Sequence, residues 1–293
     1  MKFFDTLNLD KSLPDHMCLL LNSSDGYKDV RDLFLAAYNE YCDNGINIPI
    51  IINSESNVNL NNSCFSSSNL RWGARLIYFL KNIETDYVLM VFDDFVLEDY
   101  FMVKNLENAL SVLINDSKSA VFYLNAACVS SHDDEPNEDY RLLKDRVDFK
   151  VNSVPAIWKR EILLKYVSEF DSPWSWEAFS SYKSFGDGYN YYSVSSQSKN
   201  MFPYNYFRGG AIYRGKWVKE VVEGKFNRYN LFIDPNVRGF VDYSEKVKRS
   251  FSWKFHFLLS GFRKIKLSMF IFLFRHLKKK LSRSFNIDVL KIK

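Results

Sequence analysis

Short apolar runs alternating with stretches of helical period constrain this chain more than any other feature. The runs are 17–22 (MCLLLN), 48–53 (IPIIIN), 87–92 (YVLMVF) and 120–126 (AVFYLNA). They are too short for buried helices, and they are apolar throughout rather than at every second residue. Between them, 27–42 places Val30, Leu33, Phe34, Ala37 and Tyr41 on one helical face. The stretch 71–83 does the same with Leu76, Phe79, Leu80 and Ile83, and 99–115 also reads as a helix. Continuous apolar strands separated by helices predict an α/β fold with a mainly parallel sheet covered on both faces. Ligands of such sheets bind outside the carboxyl ends of the strands.

Two features fall at those ends. The first strand runs into NSSDG, and the third runs into Asp93 and Asp94. Burying two like charges side by side costs several kcal/mol unless something positive meets them. Hard carboxylate oxygens suit Mg2+ or Mn2+, so a divalent cation bridging to a diphosphate is one answer. A turn or a helix cap is the other.

The 293 residues are 47% hydrophobic and 17% aromatic, enough for a large core with an appendage. Charge divides the chain. Residues 246–293 hold 14 Lys and Arg against a single acid, Asp288, leaving 25 basic and 34 acidic side chains in 1–245. The expected organisation is therefore an acidic body, 1–245, and a basic tail, 246–293. In the tail Phe255, Leu258, Leu259, Phe262, Ile265, Met269, Leu273 and Leu277 recur close to helical spacing, with basic residues between them. That pattern fits an amphipathic segment lying on an anionic membrane surface, against the alternative of a helix packed on the body. Nucleic acid is not expected as a partner, because the rest of the surface is acidic. Cys18, Cys42, Cys64 and Cys128 are scattered and read as reduced, buried thiols. The first fifteen residues hold no apolar core of signal-peptide type, and no uncharged apolar run is long enough to span a bilayer.

The second half offers acceptor chemistry. In DSPWSWEAF (171–179), Trp174 and Trp176 suit a platform for the apolar face of a sugar. Glu177 beside them suits a general base, or else a helix-start carboxylate. In FRGGAIYRGKW (207–217), Gly209 and Gly210 allow close backbone approach, and Arg214 and Lys216 suit a leaving diphosphate. There is no Walker A or Rossmann glycine fingerprint, which weakens kinases and dehydrogenases. A nucleotidyltransferase would want a glycine-rich loop after the first strand, where only Gly26 occurs.

Residues 69–95 resemble nucleotide-sugar-dependent glycosyltransferases of the GT-A fold, notably glycosyltransferase family 2. The resemblance rests on Gly73, Ala74-Arg75, Tyr87-Val88 and Asp93-Asp94. Together with LLNSSDGYKDVRDLF, SVPAIWKREIL, SPWSWE and GGAIYRGKW, the chain over about 17–240 looks like bacterial surface-polysaccharide enzymes of O-antigen or capsule type. The adjacent acids depart from the usual Asp-any-Asp motif. The resemblance implies a donor half (17–126) and an acceptor half (147–240). It implies that Ser23, Ser24, Asp25, Arg75 and Asp93 contact the nucleotide-sugar, and that Asp93 and Asp94 hold a divalent cation. It also implies inverting transfer to a lipid-linked saccharide with Glu177 as base, on the inner face of the cytoplasmic membrane. A non-catalytic sugar- or nucleotide-binding peripheral protein is the alternative.

Overall fold

The computed structural model describes residues 13–43, 45–56, 70–126, 139–232, 234, 236–244 and 250–278. Along the chain, α1 (Leu13–His16) leads into β1 (Met17–Asn22), a single 3-10 turn, α2 (Lys28–Tyr41) and β2 (Ile50–Asn53). Then come α3 (Trp72–Asn82), β3 (Tyr87–Phe92), α4 (Val103–Asn115), β4 (Ser119–Tyr123) and β5 (Tyr140–Leu142). The second half holds β6 (Ala156–Lys159), α5 (Arg160–Tyr166), α6 (Pro173–Lys183) and β7 (Asn190–Val194). A small hairpin, β8 (Ile212–Tyr213) and β9 (Lys216–Trp217), precedes α7 (Lys219–Val222), α8 (Lys225–Arg228) and α9 (Phe251–Ile265).

Seven strands form one sheet in the order β2-β1-β3-β6-β4-β7-β5. Strands β2, β1 and β3 run parallel, as do β4 and β7, while β6 is antiparallel to both β3 and β4 and β5 is antiparallel to β7. The mainly parallel sheet is as expected. The inserted β6 was not, because AIWK is too short and too apolar to declare its direction. Alternate residues of the strands feed two cores. Leu19, Leu21, Leu89 and Val91 meet α2 and α4; Leu20, Val88 and Met90 meet α3, α5 and α6. This two-sided burial is why the runs are apolar at every position.

Element boundaries shift for identifiable reasons. Pro49 has no N–H to donate, so β2 starts at Ile50 and the Pro49 carbonyl accepts from Leu19 N. The helix expected from residue 99 starts at Val103. Residues 97 and 101 form isolated bridges to Tyr204 and Cys42 instead. Cys18 is buried and its thiol is pushed up to about 11 by desolvation, which suits an inert packing role; Cys64 and Cys128 lie outside the described residues.

The tail packs on the body through α9. Gly261 lies against the Phe179 ring of α6, Phe257 and Phe272 flank that ring at 4.7 and 5.2 Å, and buried Lys264 reaches buried Asp171 at 2.5 Å. Helix breaks at Lys266, which has positive φ, and resumes over 268–278. On the far side Phe251, Phe255, Phe262, Phe270 and Phe274 remain exposed. The tail therefore has an apolar stripe against the body and a second one away from it.

Candidate functional site

Strand order reverses at β1, whose neighbours are β2 and β3, so the crevice of an open sheet lies beyond these carboxyl ends. The chain leaves β1 at Asn22 and β3 at Phe92, partners on one rung of the parallel ladder. Asp93 therefore comes beside Ser23, whose hydroxyl donates to Asp93 Oδ2 at 2.6 Å. Arg31 of α2 reaches the same hydroxyl at 3.4 Å. Burial raises the Asp93 carboxyl to about 7, against the opposing pull of Ser23, Arg31 and Arg238. Asp94 is raised well above its ordinary range, first by burial and then by the neighbouring Asp93 charge. The positive charges that act on Asp93 are thus Arg31 and Arg238, and neither was singled out from the sequence.

Arg238 ties the site together. Its guanidinium is bidentate to Asp29 at 2.8 and 3.0 Å and donates to the Gly26 carbonyl at 2.7 Å and the Gly215 carbonyl at 3.2 Å. It also lies over the Tyr27 ring at 4.2 Å. The loop after β1 and the tip of the β8–β9 hairpin are held together through this one side chain. In "NVRGF" it is a solitary arginine, so no spacing announced it.

The hairpin closes on the Asp pair. Ala211 N donates to the Asp94 carbonyl at 2.8 Å. Gly210 has φ 145°, and a Cβ there would sit 2.7 Å from that carbonyl and 3.3 Å from Asp94 Oδ2. Only glycine meets both demands. Arg214 is exposed at the hairpin turn with its guanidinium over Tyr213, and Lys216 lies partly buried near Asp242. Both stand on the hairpin that closes the site.

Behind the crevice runs a buried polar chain. Asn22 Oδ1 accepts from Trp72 Nε1 at 2.9 Å and from Asn53 Nδ2 at 3.0 Å, and Asn53 Oδ1 accepts from Arg75 Nε at 3.0 Å. Arg75 also pairs with Glu55 at 2.9 Å and donates to the Leu70 carbonyl at 2.9 Å. The expectation that Arg75 contacts nucleotide is corrected: its guanidinium is buried and engaged inside the protein, where it positions the ends of β1 and β2. Asp25 is exposed, accepts from Ser56 N and Oγ, and is lowered mainly by the Ser56 hydroxyl; its own N–H donates to Glu55 at 2.8 Å. Ser24 is extended at the mouth of the same loop.

Gly73 opens α3 where a Cβ would lie 2.1 Å from the Ser168 carbonyl, so this glycine of the motif serves a close approach of backbones. The acceptor motif divides. Two residues apart on a helix means nearly opposite faces. Trp174 is accordingly 60% exposed, whereas Trp176 is 0% exposed between Trp72 and Trp158. Trp176 is core and has no ring face to offer a sugar, which corrects its assignment to the acceptor platform. Glu177 lies beyond the first turn of α6, so it is no helix-start carboxylate. Its Oε1 accepts from Ser153 N at 3.1 Å and Ser153 Oγ at 3.2 Å, and burial raises its pKa. Ser153 precedes β6, which pairs Ala156 with Met90 and so enters the sheet at the Asp93 end. Glu177 and the Asp pair therefore share one end of the sheet.

Among the described residues no group of three or more His, Cys, Asp or Glu converges as a metal centre, and no helix is long and apolar enough to cross a membrane. Asp93 and Asp94, expected to hold a divalent cation, form no such group with a third ligand among the described residues.

No known family and no curated protein matches the chain. Solved structures do. It is 12% identical to Staphylococcus aureus TarS 1–349 in complex with UDP, over 62% of this chain and 59% of that one, with a TM-score of 0.41. Against the same protein in complex with UDP-GlcNAc the values are 14%, 64%, 60% and 0.35. CMP:2-keto-3-deoxy-manno-octonic acid synthetase complexed with CTP is 10% identical over 61% of this chain and 89% of that one, with a TM-score of 0.38. This chain spans 36% of the longer TarS chain and about 60% of the shorter ones.

Proposed function

We propose that this protein is a GT-A-type glycosyltransferase that moves a sugar from a nucleotide-sugar donor to a lipid-linked saccharide in bacterial surface-polysaccharide synthesis. The observation that carries the reading is the placement of Asp93 and Asp94. Two adjacent carboxylates stand at the strand-order reversal, raised by burial, beneath a hairpin that only a glycine lets approach. A divalent cation held by Asp93 and Asp94 would offset that cost and take up diphosphate charge.

The chain's own residues carry the remaining work. Ser23 holds Asp93 in place, and Ser24 and the exposed Asp25 offer polar groups to ribose and base. Arg214 and Lys216, on the hairpin, stabilise the departing nucleoside diphosphate. Glu177, made a stronger base than an exposed glutamate by its burial, removes the proton of the attacking acceptor hydroxyl, and the anomeric configuration inverts. The exposed phenylalanines and surrounding Lys and Arg of the tail hold the enzyme on an anionic membrane leaflet.

The test is donor hydrolysis without acceptor. The full chain is incubated with a panel of nucleotide-sugars in Mn2+ buffer, and released nucleoside diphosphate is measured. Hydrolysis of one donor, lost in EDTA and in folded Asp94→Ala, is expected. Activity that survives both treatments would sink the Asp-pair assignment, and hydrolysis of no donor would leave a binding protein.

A further inference from the structure

A cavity of about 680 Å3 lies between the start of α3, the start of α6 and the body-facing side of α9. It is distinct from the Asp pair and backs onto it through Trp72, which lines the cavity and bonds Asn22. Its two acids are already matched, Glu55 by Arg75 at 2.9 Å and Asp171 by Lys264 at 2.5 Å. Arg71 and Arg263 add guanidiniums to the lining beyond those pairs, and Arg263 is held at the rim over the Phe170 ring at 5.0 Å. The lining is therefore net cationic. It is also continuous with the apolar outer face of the tail, because Trp253 and Leu259 both line the cavity and remain exposed. A volume of this size is typical of a small-molecule site.

The geometry points to a binding site for a phosphate carried on a single apolar chain, with the phosphate between Arg71 and Arg263 and the chain leaving over Trp253 and Leu259. Planar guanidiniums suit phosphate oxygens, and a chain leaving along an exposed apolar helix face passes directly into a bilayer. The inference deepens the proposed function and rests on it for one point, that this lipid phosphate belongs to the acceptor. Lipid-phosphate recognition then sits on the tail side of α3, and the nucleotide site on the hairpin side. Trp72 and Arg75 form the partition between them.

The experiment is calorimetric titration of the full chain with decyl phosphate below its micelle concentration, with inorganic phosphate and decanol as separate arms. Decyl phosphate is expected to bind at least ten-fold more tightly than either part alone. Arg71→Gln and Arg263→Gln are each expected to weaken it about ten-fold, as for loss of a charge-assisted hydrogen bond. Lys254→Gln, which removes a tail charge outside the cavity, is expected to change it less than two-fold. Near-UV circular dichroism establishes that each variant is folded. The inference is overturned if the two arginine variants bind as wild type does. It is also overturned if Lys254→Gln loses as much as they do, or if decanol matches decyl phosphate. No donor enters this titration. Binding of decyl phosphate by a chain that hydrolyses no nucleotide-sugar would therefore defeat the glycosyltransferase reading and leave this site standing.

Discussion

The Lys264–Asp171 pair decides whether the tail is part of the fold, and it gives an unusual signature when cut. Burial pushes each group toward its neutral form. The Lys264 ammonium falls from 10.5 to about 8 although Asp171 opposes this, and the Asp171 carboxyl rises above 3.8 although Lys264 opposes that. Removing one partner leaves the other to shed its charge or stay buried with it. For Asp171→Asn, discharging Lys264 at pH 7 costs at most about 5 kcal/mol, at ~1.36 kcal/mol per pH unit below its ordinary value. At pH 9 the ceiling is about 2 kcal/mol. For Lys264→Met, protonating Asp171 costs at most about 4 kcal/mol at pH 7 and about 1.6 kcal/mol at pH 5. Both ceilings agree with the ~3–5 kcal/mol typical of breaking a buried pair. The slopes are opposite in sign. A lysine with a lowered folded pKa gains stability as pH rises toward its unfolded value. An aspartate with a raised one gains as pH falls toward its own. Relative to wild type at the same pH, Asp171→Asn should recover from pH 7 to 9, and Lys264→Met from pH 7 to 5. Thermal unfolding at pH 5, 7 and 9 reads this directly, and a loss of 4 kcal/mol lowers Tm by about 6–7 °C in a chain of this size. The double variant Asp171→Leu/Lys264→Met should melt near wild type or above it. Single variants that melt with wild type at all three pH values, or that slope the same way, would refute the reasoning.

Gly210→Ala should lose about 1–3 kcal/mol from positive-φ strain and, by pushing on Asp94, lower donor hydrolysis at least ten-fold; chemical denaturation and nucleotide release check the two parts. Glu177→Gln keeps an acceptor for Ser153, so the fold should hold while kcat falls about 10²–10⁴-fold with donor affinity unchanged. In wild type the acid limb of the rate profile should lie above the ordinary glutamate value of 4.5, because burial raises Glu177, and the variant should lack it. Arg238→Met removes the tie between the Gly26 loop and the Gly215 turn, and nucleotide binding by calorimetry should weaken about ten-fold or more while thermal stability drops.

What the sequence disclosed follows from which forces act locally. The strand at 87–92 and the helices near 28–41 and 72–82 lie within a residue or two of their expected limits, because each buries a continuous or 3.6-periodic face. Asp93 and Gly210 stood out because a carboxylate after an apolar strand and a glycine pair in a basic hairpin are locally odd, whereas Ser23 entered only through the resemblance, and its bond to Asp93 was not foreseen. Trp176 and Arg75 misled because burial and partners are set by distant elements: Trp72 and Trp158 enclose the one, and Asn53 and Glu55 engage the other. Arg31 and Arg238 were invisible for the same reason. Arg238 binds Asp29, more than two hundred residues earlier, and nothing at either position alone predicts the other. The tail's basic, apolar periodicity was plain, but its two-sidedness was not, since the stripe against Phe179 and the stripe away from it read as one pattern.

Strand β6 sits between β3 and β4, yet it is made more than thirty residues after β4 and more than sixty after β3. During synthesis, when residue 126 has just emerged, β3 has β1 on one side and nothing on the other. The nascent first half thus presents the open, apolar edge of Tyr87, Val88, Leu89 and Met90 until Ala156–Lys159 arrives to fill it. At ordinary elongation rates that is an interval of seconds, long on the scale of hairpin formation and collapse. An edge of this kind templates pairing with other chains. Expression of residues 1–126 alone is therefore expected to yield aggregate rather than a nucleotide-binding half. The two halves of this chain are one folding unit, and the strand that joins them in space is the last of the three central ones to be made.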